Sequence, residues 1–62
     1  MDNARILVVD DDREIASAVE KLLTREGYEV IKAYDGLQAL DVMTEHQIHL
    51  ILLDIMMPEM DG

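Results

Sequence analysis

Aspartate residues follow two apolar segments of the chain. Asp10 and Asp11 come directly after residues 6–9, and Asp54 comes directly after residues 49–53. Continuous apolar runs of this length are typical of strands buried on both faces, as in a parallel sheet. If the two strands are neighbours, their carboxylates lie together at the carboxyl edge of the sheet, where open α/β sheets bind ligands.

Such a group of carboxylates has a defined chemistry. Like charges about 5 Å apart repel by roughly 3 kcal/mol per pair at an effective dielectric near 20, so the group requires a bound cation or protonation. Hard oxygen ligands without His or Cys favour Mg²⁺, with Mn²⁺ as an alternative, over zinc. A carboxylate beside such a cation can act as a nucleophile toward phosphorus.

Helix capping is a simpler explanation for the first acidic segment. Acidic residues are common at helix N-termini because they complement the helix dipole and accept hydrogen bonds from free backbone amides. Either Asp11, in a capping box with Glu14, or Asp12 could fill this role. The occurrence of aspartates after two separate apolar strands favours a site over capping alone.

The pattern of apolar residues changes along the chain. A helical stripe follows the first aspartates and stops at Gly27, and Asp35 with Gln38 predicts the start of a second helix. Leu37, Leu40 and Met43, with Ala39 beside Leu40, are expected to form the apolar face of that helix. The sequence therefore predicts strands at about residues 4–9, 28–33 and 49–53, and helices at about residues 12–26 and 36–46.

The order β-α-β-α-β predicts an α/β fold with a parallel sheet and right-handed crossovers. The middle strand carries Glu29 and Lys32, which suits an edge position. The expected strand order is therefore 2-1-3, with the helices on opposite faces. This order makes the first and third strands neighbours and brings Asp10, Asp11 and Asp54 to one edge.

Composition limits the classes of partner. The net charge is −9, from 14 acidic and five basic residues, so this segment is not expected to bind nucleic acid directly. There is no cysteine, which excludes disulfides and Cys-type zinc sites. No apolar run is long enough for a membrane span, and no secretion signal is expected, so the expected location is cytoplasmic.

Three segments resemble the receiver domains of two-component response regulators. Residues 6–12 are similar to the first strand and acidic pair of that family, and residues 34–40 to the start of its second helix. Residues 52–62 contain the pattern D-x-x-M-P-x-M-D-G of its phosphorylation loop. The resemblance implies a flavodoxin-like fold, of which residues 1–62 would form the N-terminal half.

The resemblance also implies roles for individual residues. Asp54 matches the phosphoacceptor, and Asp10 and Asp11 match the acidic pair that holds Mg²⁺. Met56 matches the position whose backbone carbonyl completes the metal site. The implied phosphodonor is a histidine kinase or a phosphotransfer protein, and the implied domain is a signalling module rather than an enzyme with an external substrate.

Two other functions remain as alternatives. A half-domain could keep the fold and self-associate through an exposed third strand, without phosphoryl chemistry. Phosphohydrolases of the haloacid-dehalogenase type also use an aspartate nucleophile with Mg²⁺, but the loop that carries their nucleophile has the pattern D-x-D. Met56 stands where that loop has its second aspartate, which disfavours the phosphohydrolase.

Overall fold

The computed structural model describes residues 4–53. Strands and helices alternate through this range in the predicted order β-α-β-α-β. The elements are β1 Arg5–Val9, α1 Arg13–Arg25, β2 Glu29–Ala33, α2 Gly36–Glu45 and β3 Leu50–Leu53. Neither helix of the described range is long and apolar enough to cross a membrane.

The three strands form one parallel sheet in the order β2-β1-β3, which confirms the predicted topology. The register is the feature that matters for the site. Val9, the last residue of β1, pairs with Ala33 at the end of β2 and with Leu53 at the end of β3. The three strands therefore end at the same level, and the residues that follow them begin at one edge.

Two small cores hold the sheet and helices together. On one face, Ile6 and Val8 pack with Ala16 of α1. On the other face, Leu7 packs with Ala33 and with Ala39 of α2. The two helices therefore lie on opposite faces of the sheet, as the sequence predicted.

The start of α1 distinguishes between the two capping residues left open by the sequence. Asp12 is the N-cap, and its Oδ1 accepts hydrogen bonds from the backbone amides of Glu14 at 2.9 Å and Ile15 at 3.3 Å. This leaves Asp11 outside the cap. The helix ends at Arg25, and Gly27 follows with a φ of 98°, the left-handed conformation expected of a glycine that stops a helix.

The start of α2 is as predicted. Asp35 is its N-cap, and Asp35 Oδ1 accepts a hydrogen bond from the Gln38 amide at 2.8 Å. Gln38 Oε1 in turn accepts from the backbone amide of Tyr34 at 2.9 Å. These reciprocal bonds fix the turn between β2 and α2, and with it the position of Tyr34.

The predicted apolar face of α2 is wrong in detail. Leu37 is 77% exposed and Leu40 is 56% exposed, and Met43 is also exposed. Of the predicted face, Ala39 contacts the core, together with Val42. The small Ala39 side chain lets the helix backbone approach Leu7, which turns the three larger side chains away from the sheet.

The third strand also differs from its sequence pattern, which was that of a strand buried on both faces. Each of its residues is exposed in the described range, from 37% for Leu52 to 65% for Leu53. The reason is geometric, because among residues 4–53 β3 pairs with β1 alone and neither helix packs closely against it.

Candidate functional site

The position of Asp10, the first predicted site residue, is fixed by the end of β1. The Asp10 amide donates to the Ala33 carbonyl at 3.1 Å, which extends the pairing of β1 with β2 by one residue. Asp10 is 6% exposed and is the buried charged residue of the described range. Its carboxylate is therefore held inside the carboxyl edge of the sheet.

Within residues 4–53, the Asp10 carboxylate accepts a single hydrogen bond. Oδ1 accepts from the Asp12 amide at 2.8 Å. No donor from residues 4–53 reaches the other oxygen, Oδ2. Burying a carboxylate with so few partners is unfavourable. A cation bound at Oδ2 would remove that cost, so the surroundings of Asp10 fit a ligand for a hard metal ion such as Mg²⁺.

Asp11 differs from Asp10 in its environment. It is exposed and, together with Asp12, Arg13 and Glu14, lines an open recess at the start of α1. Asp10 and Asp11 thus offer one buried and one solvent-facing carboxylate. Within residues 4–53, no group of three or more His, Cys, Asp or Glu side chains is placed to hold a metal ion.

The remaining predicted site residues, Asp54 and Met56, lie outside the described residues. Their position in the chain is nevertheless informative. Asp54 directly follows Leu53, and Leu53 pairs with Val9, which directly precedes Asp10. The last described residue of β3 is therefore level with the residue that precedes Asp10, and the grouping of Asp10, Asp11 and Asp54 stays a prediction.

A contact that sequence reasoning missed lies beside the acidic residues. The guanidinium carbon of Arg13 lies 4.1 Å from the centroid of the Tyr34 ring, a stacked cation–π arrangement. Because Arg13 begins α1 and Tyr34 lies in the turn after β2, no local spacing signal connects them.

Comparison with known proteins identifies the family. A family model described as response regulator receiver domain matches residues 6–62. The chain belongs to this family. Its sheet order and alternating elements agree with a truncated flavodoxin-like receiver fold.

Relatives of this receiver domain include several regulators. The chain is 53% identical over 58 residues to the transcriptional regulatory protein CpxR of Escherichia coli (strain K12). It is 50% identical over 58 residues to the uncharacterized transcriptional regulatory protein YrkP of Bacillus subtilis (strain 168). It is 46% identical over 57 residues to the response regulator GtcR of Aneurinibacillus migulanus.

These alignments cover most of the chain but little of the relatives. They include 94% of this chain for the first two proteins and 92% for the third. The chain spans about a quarter of the length of the curated relatives it matches. No solved structure shows a significant match. The chain is thus a receiver domain of the two-component response regulator type, similar to the receiver part of longer regulators.

Proposed function

We propose that this receiver domain is a phosphoacceptor that takes a phosphoryl group on Asp54 from a histidine kinase or phosphotransfer protein. Asp10, Asp11, Asp54 and the backbone carbonyl of Met56 would hold the required Mg²⁺, with Mn²⁺ as a substitute. The observation that supports this is the buried Asp10 carboxylate at the end of the central strand, one oxygen of which receives no hydrogen bond from residues 4–53.

The proposed reaction needs a nucleophile and compensation of charge. A carboxylate oxygen of Asp54 forms a bond to phosphorus while the bond from phosphorus to the donor's imidazole nitrogen breaks, and its electron pair leaves with the imidazole. Bound Mg²⁺ would supply compensation for the negative charge on the transferring group. The described residues contribute a rigid support, because the amide of Asp10 is bonded to β2.

The proposed partners follow from the family and the charge. The domain acts as a signalling module rather than as an enzyme with an external substrate, and its location would be cytoplasmic. The relatives reported above are described as transcriptional regulatory proteins or as a response regulator. With a net charge of −9, this segment would affect transcription through other parts of a longer protein rather than by contacting DNA.

The direct test is the intact mass of the protein after incubation with acetyl phosphate. We expect one added phosphoryl group with Mg²⁺, and none without Mg²⁺ or in Asp54→Asn. Addition to Asp54→Asn at the rate of the unmodified chain would show that another residue is the acceptor. Absence of any addition to the folded, Mg²⁺-loaded chain would contradict the proposed phosphoacceptor activity.

The metal site has its own test. We expect Asp10→Asn to weaken Mn²⁺ binding, measured by electron paramagnetic resonance, by about tenfold or more, because it removes a charged ligand. Asp35→Asn is the matched control, since asparagine also caps helices and Asp35 belongs to the start of α2. Equal weakening by both variants would mean that general negative charge, and not a site at Asp10, binds the ion.

Self-association through β3 is a second candidate function, favoured by the exposure of Leu50–Leu53. A two-fold axis normal to the sheet would pair two copies of β3 antiparallel and cover an apolar strand edge. Analytical ultracentrifugation tests this, with Ile51→Lys as the disrupting variant. A monomer at high concentration, with native secondary structure, would exclude the dimer.

A further inference from the structure

We infer that Arg13, stacked on Tyr34, binds the phosphoryl group of the incoming donor at the rim of the acidic site. This inference rests on the proposed phosphoacceptor function and assigns a positioning role to a residue pair outside the predicted site. It starts from the 4.1 Å contact between the Arg13 guanidinium and the Tyr34 ring.

The geometry of the contact leaves the guanidinium able to bind an anion. The Tyr34 ring lies 4.1 Å from the central guanidinium carbon, and within residues 4–53 the Arg13 side chain donates no hydrogen bond and forms no ion pair, so its N–H donors stay available. Those donors form the fork that matches two oxygens of a phosphoryl group. Stacking therefore restricts the Arg13 side chain without using its hydrogen-bonding edge.

Tyr34 is itself held at the edge of the sheet where the proposed site lies. It directly follows Ala33, whose carbonyl accepts from the Asp10 amide. Its own amide donates to Gln38 Oε1, and Gln38 is bonded to the N-cap Asp35. The ring is thus carried by a turn that is fixed to both β1 and α2, and it provides a stationary support for Arg13.

Arg13 differs from Arg5 and Lys32 in its electrostatic surroundings. Arg5 pairs with Glu29 at 3.0 Å, at the end of the sheet where β1 and β2 begin, and Lys32 pairs with Glu20 at 3.0 Å. Arg13 instead lines the recess that also contains Asp11, Asp12 and Glu14.

A phosphodonor must bring a dianionic group into this negative field. The acidic residues of the recess repel a dianion at the distances of an encounter, and a fixed cation at the rim opposes that repulsion. The fork of Arg13 would also orient the phosphoryl oxygens before transfer. This role differs from metal binding, because Arg13 acts on the donor and would disfavour a cation.

The first experiment measures binding of inorganic phosphate to the Mg²⁺-loaded chain by ³¹P NMR, which requires no transfer. We expect Arg13→Gln to weaken phosphate binding by about tenfold, as for the loss of a charge-assisted hydrogen bond at an exposed site. Tyr34→Leu should weaken it in the same direction, because the support is lost. Tyr34→Phe keeps a ring and should bind phosphate like the unmodified chain.

Control variants separate a positioned cation from general charge or unfolding. Arg25→Gln removes one positive charge from the exposed last turn of the same helix, at the opposite end from Arg13, and should leave phosphate binding unchanged. Arg13→Lys keeps the charge but not the fork and should restore part of the affinity. Mn²⁺ binding in Arg13→Gln should be equal or tighter, whereas misfolding would weaken it.

The outcomes distinguish this inference from the proposed function. Equal phosphate affinity in the unmodified chain and Arg13→Gln overturns the inference, as does the absence of phosphate binding in the unmodified chain. Failure of the phosphoacceptor proposal appears instead as missing covalent mass. In Asp54→Asn we expect phosphate binding that still depends on Arg13, with no covalent addition.

Discussion

The imidazole of His49 takes the place of a backbone acceptor for Arg5. The Arg5 amide donates to His49 Nδ1 at 2.9 Å, and the His49 amide donates to the Arg5 carbonyl at 2.8 Å. The pairing of β1 with β3 is thereby extended to the residue before Leu50. Because an imidazole accepts at Nδ1 when that nitrogen carries no hydrogen, the contact uses the neutral ring protonated at Nε2.

Removing the His49 acceptor should destabilise the attachment of β3. We expect His49→Ala to lower the free energy of unfolding by about 1 kcal/mol, the net value of one hydrogen bond. Urea titration followed by circular dichroism measures the change. His46→Ala is the control, because His46 ends α2 and its ring has no recorded hydrogen bond within residues 4–53. Equal effects of the two changes would contradict a special role for His49.

The two glycines of the described range should respond oppositely to alanine. Gly27 has a φ of 98°, and a Cβ added there meets nothing within 4 Å, so the cost of Gly27→Ala is conformational. We expect a loss of about 1–2 kcal/mol. Gly36 is the first residue of α2, also with open space, and Gly36→Ala should be neutral or stabilising by about 0.4–1 kcal/mol. Thermal unfolding of both variants provides the comparison.

The contribution of the sheet core can be measured at Leu7. Leu7 is fully buried at 0% exposure, so Leu7→Ala should cost about 2–5 kcal/mol and leave a chain of this size largely unfolded. Leu37→Ala removes the same atoms from a side chain that is 77% exposed and should change stability by less than about 0.5 kcal/mol. Similar losses in both variants, measured by urea unfolding, would show that Leu37 is covered in solution.

The ion pair between Lys32 and Glu20 predicts an effect at alkaline pH. The hydrogen bond that Lys32 donates to the Glu20 carboxylate raises the pKa of Lys32 above 10.5. Because the folded chain holds this proton more tightly than the unfolded chain, the stabilisation is complete below pH 10.5. It is lost as the pH rises through the folded pKa.

Glu20→Gln should therefore lower stability modestly at about pH 8, and the difference from the unmodified chain should shrink at strongly alkaline pH. Glu45→Gln, at the end of α2, is the control for loss of one negative charge. A difference that grows with alkaline pH would show that the pair does not contribute in this way.

The sheet topology could be predicted because it depends on residue types that are visible in the sequence. Glu29 and Lys32 mark β2 as an edge strand, which excludes the order 1-2-3, and the preference of consecutive strands to be neighbours then favours the observed order 2-1-3. The stop at Gly27 and the cap at Asp35 are local signals that involve few residues. Such features need no knowledge of which helix face meets the sheet.

Helix orientation and site contacts could not be predicted in the same way. The sequence did not show that Ala39 rather than Leu40 would face Leu7, because a small residue permits closer approach while a large one appears more apolar. Asp12 was one of two equally good caps. Arg13 and Tyr34 meet through the fold alone, since Arg13 begins α1 and Tyr34 follows β2.

The central position of β1 has a consequence for the order of events in folding. Ile6 pairs with Val30 of β2 and with Leu50 of β3. Strand β1 can therefore pair with β3 only after α1, β2 and α2 have been synthesised. Long loop closures slow such pairings, and the β1–α1–β2 unit should therefore close before β3 docks. In the native chain, amide hydrogens of β3 should exchange through openings that leave β1 and β2 paired.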